Sequence, residues 1–243
     1  MKKIILGLLG FCTLVSNVQA AKGAFYAGMN GNRSQWKVSQ NYTFDASKVN
    51  NTANLNADWK ASSWKFNGDF LAGFKVFNGA MYGAIEGWYN PVTQRARYSS
   101  TDVSYTTKLY ARYGANIILG AQDRDWTLYG LAGLGKGKIT SEMSYASGGI
   151  YSTRPGPVLQ NSSFTENPTN YILGIGLMKT YMVKKLGRRM DLTVEYRHIQ
   201  SKSSASLNDQ FITFLNPIGT QKTVITSHTF TAGIKFHFLP FVF

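Results

Sequence analysis

Cysteine occurs once in the 243 residues, as Cys12, so there is no disulfide framework and no pair of thiols for redox or metal chemistry. Histidine occurs three times, as His198, His228 and His237, scattered without metal-ligand spacing. Nothing after Ala20 forms an apolar run of the roughly 20 residues that a transmembrane helix needs. No glycine-rich stretch sits between a strand and a helix, which removes phosphate-loop and dinucleotide readings. No metal and no cofactor is expected. Acidic residues are also few, 12 against 26 Lys and Arg, and the formal charge is +14.

What the chain does have is glycine (24), aromatic residues (14%), a mean hydropathy of only −0.18 and a leader. Lys2 and Lys3, the apolar segment Ile4 to Val15 and the small-residue site Val18-Gln19-Ala20 read as a signal peptide over residues 1–20. The apolar segment is too short to stay as an anchor. Phe11, not a small residue, precedes Cys12, which argues against a lipid-carrying cysteine. Residues 21–243 are then one domain, of a length that suits a single β-barrel.

The segment Ser227 to Phe238 sets the pattern. Phe230, Ala232, Ile234, Phe236 and Phe238 alternate with Thr229, Thr231, Gly233, Lys235 and His237. A strand turns successive side chains to opposite faces, so one face here is apolar and the other polar. That suits a strand with lipid outside and a polar lumen inside. Similar alternation predicts seven more strands, at 24–31, 64–77, 80–90, 108–119, 126–136, 171–182 and 191–198. Polar stretches at 32–63, 91–106, 137–170 and 200–226 read as four long loops. Short turns lie at Asn78-Gly79, Gln122 to Asp125 and Lys184 to Arg189. A soluble β-sandwich shares the composition but not this rhythm of long loop and short turn. The expected fold is all-β, an eight-stranded antiparallel up-and-down transmembrane barrel with four long extracellular loops and short periplasmic turns.

The polar faces would then line the interior. They carry Asp69, Glu86, Asp191 and Glu195 against Lys65, Lys75, Lys108, Arg112, Arg197 and Lys235. Eight strands leave room for side chains only, and a charge kept from water needs a partner, so these groups are expected to plug the lumen. A narrow small-solute channel is the alternative. Gly130, Gly133, Gly135, Gly174 and Gly176 are read as relieving crowding in the wall rather than leaving a cavity. The positive excess contains no aromatic-basic nucleic-acid module. Anionic lipopolysaccharide head groups are its expected counter-charge, met by Arg33, Lys37, Lys60, Arg95, Arg97, Arg154 and Lys202, with no nucleic-acid partner.

Catalysis finds little support. His198 and Ser201 faintly resemble the His-x-Ser pair of lipid A deacylases, but residues i and i+3 of a strand face opposite ways unless a bulge intervenes. A lipid A-modifying enzyme therefore stays as the second alternative, and no catalytic residue is assigned.

The signal peptide, the eight alternating segments and Thr231-x-Gly233-x-x-Phe236-x-Phe238 together resemble the opacity-protein/OmpA-like family of small outer-membrane barrels of Gram-negative bacteria. The resemblance covers Ala21 to Phe238. It implies an outer-membrane location and surface-exposed loops that act as antigen or adhesin. It also implies an insertion signal at Gly233, Phe236 and Phe238, read by the barrel-assembly machinery. Other partners would be outer-membrane lipids and a host-surface or extracellular ligand. The tail Leu239-Pro240-Phe241-Val242-Phe243 departs from the pattern. Pro240 predicts that the strand stops before it, although the signal could instead involve Phe241 and Phe243.

Overall fold

The computed structural model describes residues 22–44, 55–99, 103–145, 162–183, 188–207 and 219–242. The expected leader, Arg154 and the turn lysines Lys184 and Lys185 lie outside these residues. Ten strand segments follow one another: β1 (Lys22–Phe44), β2 (Leu55–Asn78), β3 (Met81–Asn90), β4 (Gln94–Ser99), β5 (Val103–Asp123), β6 (Trp126–Tyr145), β7 (Ser162–Glu166), β8 (Thr169–Val183), β9 (Arg188–Leu207) and β10 (Gly219–Val242).

They close into a ring of eight positions. Antiparallel pairing runs β1–β2–β3–β5–β6–β8–β9–β10, and β10 returns to β1 over almost the full length of both. β4 extends the line of β3 along β5, and β7 extends the line of β8 along β6. Each extension is interrupted at a proline, Pro91 or Pro168, which has no N–H to give the ladder. Full closure leaves the eight-position ring without an open edge.

Two hairpins are tight. Asn78 pairs with Met81, so Gly79 and Ala80 are the central residues, one position later than the Asn78-Gly79 expected. Gly79 has φ +57, and the loop fits a type II′ turn, which begins with a positive φ and so favours glycine. Between β5 and β6 the same place is held by Arg124, at φ +53.

The long loops need the largest correction. β1 continues to Phe44 and β2 starts at Leu55, so most of 32–63 is strand; β4, β5, β6, β7, β9 and β10 similarly reach into the other three polar stretches. The reason is an inversion of the apolar face. Low in β1, Phe25 and Met29 point outward and Asn30, Asn32 and Ser34 inward. Higher up, Arg33 and Lys37 point outward while Trp36 and Val38 are buried inside. The lower barrel is apolar outside and keeps its charged groups inside, beside a buried apolar cluster that includes Leu71, Ile118, Leu131 and Met178; the upper part carries its charge outside and its apolar residues inside, as in a barrel standing in water. Trp36, Val38, Ala96, Leu109, Ile139 and Ile225 form this upper apolar core.

β10 does not stop before Pro240. A one-residue bulge at Leu239 shifts the register, and Pro240, Phe241 and Val242 pair with Ala24, Gly23 and Lys22. Among the described residues β9 pairs with β10 only as far as Phe236, and Pro240 is paired on one side, with Ala24 of β1.

Candidate functional site

The lower barrel wears an apolar belt. Phe25, Met29, Phe70, Ile117, Leu128, Leu173, Ile175, Val194, Phe230 and Phe236 are among the large side chains exposed on it. Lys179 shares this face at its lower margin, with its ammonium 4.8 Å from the centre of the Trp126 ring and 5.0 Å from that of Tyr181, so an aromatic pair screens the charge. Above the belt, Arg33, Lys37, Lys60, Arg95, Arg97 and Lys202 are all exposed and form a basic collar. The Arg33 guanidinium lies 4.8 Å from the Trp64 ring centre.

Inside the belt, alternation buries eight of the ten expected interior charges, Asp69, Glu86, Asp191, Glu195, Lys75, Arg112, Arg197 and Lys235, together with His237. Three of the ion pairs, Lys75–Asp191, Lys235–Glu86 and Arg197–Asp69, join strands three positions apart around the ring and so cross the lumen. The Lys75 ammonium donates to Asp191 Oδ2 at 2.5 Å, and His237 Nε2 lies 2.8 Å from the same oxygen. The Thr180 hydroxyl donates to the other oxygen of Asp191 at 2.8 Å. Glu86 accepts from Lys235 at 2.5 Å and from the Tyr26 hydroxyl at 3.1 Å. Glu195 accepts from Tyr129 at 2.6 Å and pairs with the Arg197 guanidinium, which also reaches Asp69 at 3.3 Å. Asn90 completes Asp69 with a donor at 2.6 Å. Every carboxylate in the network therefore has a cationic partner and a second donor, the condition under which buried charge is tolerated.

Lys108 does not belong to this network. The register of β5 slips between Leu109 and Arg112, where Tyr110 and Ala111 stand opposite a single residue of β6. The bulge turns Leu109 into the upper core and sends Lys108 to the outer wall, where it meets Glu142 at 2.5 Å with both side chains about one-third exposed. Lys65 is half-buried on the inward face.

The tyrosines were not expected as members. Tyr26 and Tyr129 sit on inward positions of their strands, and that parity was the available signal. Glycines make room for their rings: a Cβ at Gly176 would come within 2.5 Å of Tyr129 Cζ, and one at Gly73 within 2.6 Å of Tyr26 Cζ. Gly133, Gly135 and Gly176 face the packed interior, whereas Gly130 faces outward. Gly233 of the expected insertion signal also points inward, against Asn30, while Phe236 and Phe238 lie on the outer face at the foot of β10.

The register between β9 and β10 is unbroken, so His198 and Ser201 point opposite ways. The His198 ring stands 5.0 Å from that of His228, whose Nδ1 is 2.6 Å from the Tyr196 hydroxyl on the outer wall. Ser201 is inside, bonded to Asn170. They form no nucleophile–base pair. Among the described residues, no group of His, Cys, Asp and Glu is arranged to hold a metal ion.

No known family profile and no curated protein matches the chain in sequence. Solved structures do resemble it. The outer membrane protease OmpT of Escherichia coli aligns at 11% identity over 88% of this chain and 97% of its own, with a TM-score of 0.47. The outer membrane protein OprG of Pseudomonas aeruginosa aligns at 14% over 88% and 96%, with a TM-score of 0.41. Neisserial surface protein A aligns at 14% over 88% and 97%, with a TM-score of 0.36.

Proposed function

We propose that this chain is a surface barrel of the outer membrane, closed to solutes, which acts through the parts that rise above the lipid. The carrying observation is the cross-lumen network at belt height. Glu86, Asp191, Glu195, Arg197, Lys75 and Lys235 are each no more than 3% exposed, and side chains fill the section that a permeating solute would have to cross. The apolar belt supports a bilayer around the lower wall. The basic collar supports contact with anionic lipopolysaccharide head groups. Insertion by the barrel-assembly machinery, through Gly233, Phe236 and Phe238, belongs to the same proposal, as does an adhesin- or antigen-like contact with an extracellular ligand at the upper rim. It includes no catalytic step, because His198 and Ser201 lie on opposite faces.

Planar-bilayer recording of the refolded full chain tests the closure. Silence is expected for the wild type and for Glu86→Gln and Arg112→Gln. Steady conductance that either substitution alters would make the molecule a narrow channel instead.

A further inference from the structure

We propose that the outer wall holds one phosphate-bearing lipid, its head on His198 and His228 and an acyl chain in the groove that descends from them. The proposal rests on the reading of the lower wall as lipid-facing, and it gives the basic collar a defined ligand. His198 on β9 and His228 on β10 are directly opposed in the ladder. Both lie half-buried on the outer face, with their rings 5.0 Å apart. The Tyr196 hydroxyl stands 2.6 Å from Nδ1 of His228, and when it donates there the ring proton sits on Nε2. Among the described residues, neither that nitrogen nor the His198 ring has a hydrogen-bond partner. Two neighbouring imidazoles, each with an N–H to give, suit an oxyanion with several acceptor oxygens.

The surface around the pair carries charge of one sign. Lys202 lies above His198 on β9 and Lys222 above His228 on β10, while Arg33 and Lys37 flank Gln35, the partner of His228 on β1. No carboxylate takes an outward position on these three strands between this level and the lysines, and among the described residues none of these four cations has an ion-pair partner. The Trp64 and Phe66 rings, 4.8 and 5.7 Å from the Arg33 guanidinium, brace that cation without neutralising it. A negative head group is the complement of such a patch. In a two-fold dimer through this face the same cations would meet one another, which disfavours a second copy as the occupant.

Beside His198 the wall is hollowed. A groove of about 590 Å³ has Gly130 and Ala132 of β6 in its floor, between Ile117 and Leu119 of β5 on one side and Leu173 and Ile175 of β8 on the other. It ends at Tyr196 and His198. The space above Gly130 is open, since a Cβ there would meet only a backbone oxygen at 3.9 Å. The groove also slopes. Ala132 pairs with Leu173 and Leu173 with His198, so the three share one ladder row. On β9 that row is the polar margin, because the next outward residues are Gln200 and Lys202. On β6 it lies deeper, because exposed Leu134 still stands between Ala132 and Lys136. The groove therefore starts at head-group level and runs down into the belt, the path of an acyl chain that hangs from a phosphate on the histidines.

The test refolds the full chain into phosphatidylcholine vesicles with a minority of phosphatidic acid, whose phosphate is a monoester. Release in mild detergent and native mass spectrometry then count the lipids retained. The wild type should keep one phosphatidic acid in preference to phosphatidylcholine, and excess inorganic phosphate should not displace it. His198→Leu combined with His228→Leu should lower retention several-fold, as should Ala132→Phe, which fills the groove from outside. Arg95→Gln with Arg97→Gln, in the collar on β4, should leave it unchanged. Retention at the wild-type level in the histidine or groove variant overturns the proposal. An equal loss in the β4 variant overturns it in favour of diffuse attraction, and displacement by inorganic phosphate in favour of a free-anion site. Each of these results leaves the belt and collar standing, whereas a wild-type chain that fails to enter the vesicles overturns both readings. If the histidine variant does not refold, Ala132→Phe decides the matter.

Discussion

The ammonium of Lys235 on β10 stands 2.5 Å from Glu86 Oε2 on β3, three positions away around the barrel, and neither side chain is more than 2% exposed. Removing one partner leaves the other charged and out of reach of water. Glu86→Gln should destabilise the barrel by roughly 3–5 kcal/mol. The double substitution Glu86→Gln with Lys235→Met should cost clearly less than the sum of the two single changes. Urea unfolding in lipid vesicles measures all three, and strict additivity would mean that the pair is not coupled.

Depth along the outer wall should be readable from charge tolerance. Ile175→Arg places a cation in the apolar belt and should cost about 2–4 kcal/mol, whereas Gln35→Arg, beside Arg33 in the collar, should cost about 0–1. The same unfolding experiment applies. Equal costs at the two positions would place the bilayer elsewhere on the wall.

Arg124 occupies the turn position at which its counterpart is Gly79, and both have positive φ. Arg124→Gly removes the penalty of a left-handed conformation for a side chain, partly offset by the freedom glycine has when unfolded. The net gain should be up to about 1 kcal/mol. A loss of stability would show that the arginine side chain makes up for its own backbone.

Hydrogen exchange distinguishes strand from loop above the belt. The amides of Ser34, Trp36 and Val38 pair into β10 or β2, and those of Thr223, Ile225 and Ser227 into β1 or β9. They should exchange orders of magnitude more slowly than free peptide. Exchange at the free rate would return 32–63 and 200–226 to loops.

The foot of β10 separates two readings of the insertion signal. Phe236→Ala combined with Phe238→Ala should sharply lower the fraction of heat-modifiable barrel recovered from outer membranes. Deleting residues 239–243 should lower it less, because only the last ladder rungs with Lys22, Gly23 and Ala24 are lost. A larger loss from the deletion would move the signal to Phe241 and Phe243.

Barrel closure and the inner face were legible because lipid outside and polar side chains inside impose one phase on each strand. Asp69, Glu86, Asp191, Glu195, Arg197 and Lys235 were read from that phase alone. The upper half of the wall was not, since the phase reverses without any break in the backbone. Trp36 and Val38 then look like stray apolar residues in a polar loop. Lys108 was misplaced for a related reason. A bulge shifts the parity of everything on its far side, and Tyr110-Ala111 has no glycine or proline to mark it. Pro240 misled in the opposite direction, because a proline that shares a rung with Ala24 after the bulge at Leu239 need not end a strand.

The seam between β1 and β10 joins the first and last of the described strands, with contacts such as Ser34 to Thr229 spanning 195 residues. Such a ring has high contact order, and its last rungs cannot form until β10 has been made. Until then β1 exposes an unpaired edge and an apolar face, the surfaces through which an unfinished ring aggregates.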